Sequence, residues 1–97
     1  MKTKTDKKVN RIIKNINRQV ARDVFGSRFY IHQLSKTRIE GISYYLYEFI
    51  DRENPNATKT RLFNEFELLT FNDAWIEMND LIIKSDFWTK YKQKIAE

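Results

Sequence analysis

Along the chain, Val9, Ile12, Ile13, Ile16, Val20 and Val24 recur at helical spacing. At roughly 100° per residue these positions fall within about 120° of arc, the apolar stripe of an amphipathic helix. The spacing predicts a helix over 6–25, with Thr5 as N-cap, Asp6 at the positive end of the helix dipole and Gly26 as a left-handed C-cap. Residues 1–5 are then expected to form a flexible N-terminus.

The next stretch, Arg28 to Leu34, is rich in aromatic and β-branched residues and reads as a strand, closed by a polar turn at Ser35-Lys36-Thr37-Arg38. Residues 42–50 are the most strand-like in the chain, and 51–59, with Asn54-Pro55-Asn56, form a loop. Arg61 to Phe71 is read as a third strand, in which Phe66 and Leu68 face inward and Glu65 and Glu67 outward. Thr70 with Asp73 resembles a capping box opening a helix over 72–84, with Trp75, Met78 and Ile82 as its apolar stripe. Ser85 can cap a last helix on which Phe87, Trp88, Tyr91 and Ile95 share a side. The order α-β-β-β-α-α predicts a two-layer α+β fold, because a three-stranded antiparallel meander needs helices to cover its apolar face. With 97 residues and no linker rich in Pro, Gly and Ser, the expectation is a single domain over 1–97.

Composition removes several chemistries. There is no cysteine, so disulfides, thiolate metal sites and thiol nucleophiles are excluded. His32 is the only histidine, flanked by Ile31 and Gln33 without a nucleophile motif, and two glycines are too few for a phosphate-cradling loop. Asp73, Glu77 and Asp80 share a helix face and could in principle hold a metal ion for nuclease chemistry, although a solvated face has the same spacing. No enzymatic activity, cofactor or metal is expected. The N-terminus lacks the apolar stretch of a signal peptide and no run has the roughly 20 apolar residues of a membrane span, so a cytoplasmic protein without membrane contact is expected. Lys, Ile, Asn, Phe and Tyr number 11, 11, 8, 7 and 5, a usage that points to a low-GC bacterium or one of its phages or mobile elements as the source.

The formal charge of +5 is unevenly placed. Residues 1–22 hold eight bases and one acid, residues 40–80 three bases and nine acids. On the first helix Lys7, Arg11, Lys14, Arg18 and Arg22 form one stripe opposite the apolar face, flanked by Lys8. Solvated helix faces usually interleave acids with bases, and none stands between Asp6 and Asp23. This ridge, with Asn10, Asn15, Asn17 and Gln19 as uncharged donors, predicts binding to the backbone of DNA or RNA. The alternative is a protein-binding inhibitor or adaptor that docks on a host enzyme or CRISPR effector. Its contact would be the tyrosine-rich face of the central strand, where Tyr45, Tyr47 and Phe49 point one way.

The order α-β-β-β-α resembles the double-stranded-RNA-binding domain in topology, and the stretch from Arg28 to Ile83 resembles the arm-binding domain of tyrosine-type integrases. The first family carries a lysine cluster on the helix after its third strand, where this chain has Asn72, Asp73, Ala74, Glu77 and Asp80. These acids would repel phosphate, and no family is assigned.

Overall fold

The computed structural model describes residues 3–24, 26–87, 89 and 90. Helix α1 spans Lys4–Asp23 and opens two residues before its expected start, because Thr3, not Thr5, is the N-cap. Thr3 Oγ1 accepts from the Asp6 backbone and Asp6 Oδ2 from the Thr3 backbone, both at 3.1 Å, a reciprocal capping box. Lys4 and Thr5 are thus helical, not part of a flexible end. At the other end the helix stops at Asp23 and its C-cap is Val24 (φ −110), not the expected Gly26; Gly26, at φ +135, donates its N–H to the Ala21 carbonyl at 2.7 Å, a bond that a side chain at this backbone angle would strain. Val9, Ile13, Ile16 and Val20 are buried, as the stripe predicts.

Strands β1 (Phe29–Ile39), β2 (Ile42–Asp51) and β3 (Lys59–Asn64) form an antiparallel meander in the order β1-β2-β3. The turn expected at 35–38 is strand. A bulge at Leu34 shifts the register, β1 continues to Ile39, and the chain reverses at Glu40 (φ 51) and Gly41 (φ 82). Two consecutive positive φ values between paired Ile39 and Ile42 match the type I′ hairpin turn, whose backbone twist suits the flanking strands. Residues 35–38 are polar because this arm is exposed, not because it bends.

The third strand is shorter than expected. Asn64 accepts from the Glu67 backbone at 2.9 Å and Glu67 Oε1 accepts from the Asn64 backbone at 2.8 Å, so a capping box starts helix α2 (Glu65–Leu69) where a strand over 61–71 was expected. Leu68 is buried and Phe66 exposed, whereas strand alternation would bury both. Helix α3 (Asp73–Lys84) agrees with the sequence reading, but Thr70 does not cap it: its N-cap is Asn72, in left-handed conformation, without a side-chain bond. The element order is α-β-β-β-α-α, with α2 and α3 as the closing pair. Ser85 Oγ accepts from the Phe87 backbone at 3.2 Å, consistent with a cap there. Trp88, Tyr91 and Ile95 of the expected last helix lie outside the described residues.

The buried residues of α1, α2 and α3 and one face of the sheet form a single core with Phe29, Ile31, Tyr45, Tyr47, Phe49 and Phe63. Arg28 joins β1 to β2 by two bonds to the fully buried Asp51, at 2.8 and 3.0 Å, and also reaches Glu53 and Asp86. Among the described residues no helix is long and apolar enough to cross a membrane.

Candidate nucleic-acid interface

Because the apolar stripe fixes how α1 sits on the sheet, the opposite side must face water. Lys7, Lys8, Arg11, Lys14, Arg18 and Arg22 are all exposed there. The earlier helix start adds Lys4, which precedes Lys8 by one turn and extends the ridge; the Thr3-x-x-Asp6 capping box was the signal that would have placed it. Of these seven cations only Arg22 has a carboxylate within 4.0 Å among the described residues, the exposed Asp23 at 3.9 Å. A shallow groove runs along the ridge past Lys7, Asn10, Arg11, Lys14, Asn15 and Arg18. Asn17, expected as a further free donor, is committed elsewhere: its side-chain amide makes two bonds to the backbone of Ile31, at 2.8 and 3.0 Å.

The rest of the molecule spends its cations on its own acids. Arg61 reaches Glu67, Asp73 and Glu77 at 3.1, 3.3 and 3.0 Å, and Lys59 reaches Glu77 and Asp80 at 2.8 and 3.0 Å. Lys36 pairs with Asp6, and Lys84 with Asp80. The trio Asp73, Glu77 and Asp80, whose spacing would suit a metal ion, is therefore neutralised by two β3 side chains, and Glu77 is held below the usual carboxylate range chiefly by its hydrogen bond from Lys59. No group of three or more His, Asp or Glu among the described residues is placed to hold a metal ion. Outside α1, only Arg38 and Arg52 lack a carboxylate partner among the described residues. Arg52 donates to Ser27 and lies over the Tyr30 ring at 5.2 Å.

The alternative interface is corrected by burial. Tyr45, Tyr47 and Phe49 are at most 1% exposed and line the core beneath α1. Alternation along β2 holds, and the face that the protein-binding alternative would need on the outside is the inner one. The large rings span the gap between helix and sheet, and the Tyr45 hydroxyl finds a buried acceptor in Asp6 at 2.7 Å. The outer face instead presents half-buried Ile42, Tyr44, Leu46 and Ile50, with Leu62 of β3 at 58% exposure. His32 is exposed on β1 and stacks on Tyr30, in keeping with a surface histidine.

Compared with known proteins, the chain matches no family model, no curated protein and no solved structure.

Proposed function

We propose that this protein is a small, non-enzymatic binding module that grips the backbone of a nucleic acid along α1. One observation carries the reading: the cations of α1 are left almost wholly unpaired, while six of the eight other described lysines and arginines are matched to an acid. Stability alone gives no reason to keep seven like charges on one helix, since neighbouring like charges oppose folding. From Lys7 to Arg22 the ridge rises about 22 Å at about 1.5 Å per residue. Along a duplex axis each strand carries one phosphate per about 3.4 Å of rise, so a ridge of this length spans the rise of about six phosphates of one strand.

The test is the salt dependence of binding. With six cations engaged, log affinity falls against log salt with a slope of about −5, and the triple variant Arg11→Glu, Lys14→Glu, Arg18→Glu abolishes binding while remaining folded. Absence of binding to both DNA and RNA at low salt would defeat the proposal.

The exposed sheet face favours a second reading, an adaptor or inhibitor docked on a protein partner. Ile39 and Leu62 are 56% and 58% exposed beside the half-buried Ile42, Tyr44 and Leu46. That partner would be lost on Leu46→Glu or Leu62→Glu and kept on reversal of the ridge.

A further inference from the structure

Helix α1 and strand β1 are clasped at two points and stand apart between them. At one end Asn17 grips the backbone of Ile31; at the other Lys36 Nζ meets Asp6 Oδ2 at 2.9 Å. Between the clasps, beside the Leu34 bulge, lies a cleft of about 440 Å³. Asn10 and Lys14 border it on the helix side, His32 and Gln33 on the strand side, and Tyr45 and Tyr47 also line it.

Its polar groups are unevenly satisfied. Asp6 is saturated by Thr3, Lys36 and Tyr45 and offers no free charge. The Tyr47 hydroxyl is buried without a hydrogen-bond partner among the described residues, on a side chain only 1% exposed. A buried hydroxyl left unpaired costs free energy, which makes it a position where a ligand group would be gained at a premium. The side chains of Asn10, Lys14, His32 and Gln33 likewise have no hydrogen bond or ion pair among the described residues. Among the described residues the cleft thus offers one cation, two amides that both donate and accept, an imidazole and a hydroxyl, with no free anion. Lys14 and Asn10 border the ridge groove as well, so a phosphate held on the ridge lies at the mouth of the cleft.

We infer that the cleft receives one unpaired nucleotide of a single-stranded nucleic acid, with its phosphate on Lys14 and its base edge hydrogen-bonded by Asn10, Gln33 and Tyr47. This rests on the ridge reading and narrows it. A paired base in a duplex is stacked and turned inward, and only a splayed nucleotide can enter a side pocket. Every base and ribose has a donor and acceptor edge, so two amides and a hydroxyl suit a nucleotide better than a bare phosphate.

The experiment compares a labelled single strand of about 12 nucleotides with the corresponding duplex, in DNA and RNA forms, at one low salt concentration. Wild-type protein is expected to bind the single strand about tenfold more tightly. Tyr47→Phe is expected to lose about fivefold on the single strand and nothing on the duplex, with its melting temperature maintained or raised. Gln33→Ala, at an exposed position, gives the same pattern without altering the core, whereas Arg11→Glu with Arg18→Glu weakens both forms. Equal affinity for the two forms, or a Tyr47→Phe protein that binds the single strand as wild type does, overturns the cleft assignment and leaves the ridge standing. Binding of neither form by wild type defeats both.

Discussion

Lys36 and Asp6, thirty residues apart in the chain, meet at 2.9 Å and fasten the start of α1 to the β1–β2 hairpin. The same Asp6 carboxylate closes the Thr3 capping box and accepts from Tyr45 Oη at 2.7 Å, so one side chain joins helix, hairpin and sheet. Removing a buried carboxylate with three partners strands a lysine, a tyrosine hydroxyl and a backbone N–H together. Asp6→Ala is expected to cost about 3 kcal/mol, a large share of the roughly 5–15 kcal/mol of a small domain. A urea midpoint within error of wild type would show that this junction contributes nothing.

That carboxylate also contributes to the acid limb of stability. The hydrogen bond from Lys36 is the largest influence on Asp6, and with those from Tyr45 and Thr3 it outweighs burial and holds its pKa far below the ordinary 3.8. A group depressed in the folded state contributes stability above its unfolded pKa and loses it as pH falls toward the folded one. The melting temperature is therefore expected to decline below about pH 4. In Asp6→Asn the decline should be shallower, from a lower plateau. On the alkaline side burial, then the bond to Asp6, pushes Tyr45 up to about 12. Its contribution holds below about pH 10 and is lost as pH rises through the folded value; tyrosinate absorbance that appears only with unfolding would show it.

How much of this was legible in the sequence depends on how far apart the partners lie. The α1 stripe and its basic back are local periodicities, and the structure keeps both. The face of β2 was not legible. Ile42, Leu46 and Ile50 are more apolar than Ser43, Tyr45 and Tyr47, yet the latter are buried, and the acceptor of the Tyr45 hydroxyl, Asp6, lies 39 residues away in the chain. The pairing of Lys59 and Arg61 with acids of α2 and α3 is non-local too, so carboxylates that look free on a helical wheel are neutralised in the fold. Two other differences had local signals: the Asn64–Glu67 capping box that ends β3, and Glu40-Gly41 as the two-residue turn.

The hairpin turn supplies a prediction of its own. Gly41 sits at φ +82, and a Cβ added there would meet nothing within 4 Å, so Gly41→Ala should destabilise by backbone strain alone, at about 1 kcal/mol. Glu40, a non-glycine residue at φ 51, is the weaker half of the turn. Glu40→Asn creates the Asn-Gly pair favoured in type I′ turns and should stabilise the protein by about 0.5 kcal/mol. If both substitutions shift the thermal midpoint in the same direction, the assigned turn geometry is wrong.

Reversing charge should have opposite consequences in the two halves of the molecule. Arg11, Lys14 and Arg18 touch no acid among the described residues, so single changes to Glu are expected to move stability by no more than about 0.5 kcal/mol. Relief of repulsion along α1 offsets whatever is lost. Arg61 is different: it stands among Glu67, Asp73 and Glu77 and packs over the Phe63 ring at 4.5 Å. Arg61→Glu would place a fourth carboxylate in that cluster and remove the stacked guanidinium, costing about 2–3 kcal/mol even after solvent screening. In a domain of this size that is a fall of more than about 8 °C in melting temperature. Circular-dichroism melts of the ridge and Arg61 variants, beside salt-titrated binding of the same proteins, separate the surface kept for a partner from the surface kept for the fold. A ridge variant that unfolds, or an Arg61→Glu protein that melts like wild type, would break that division.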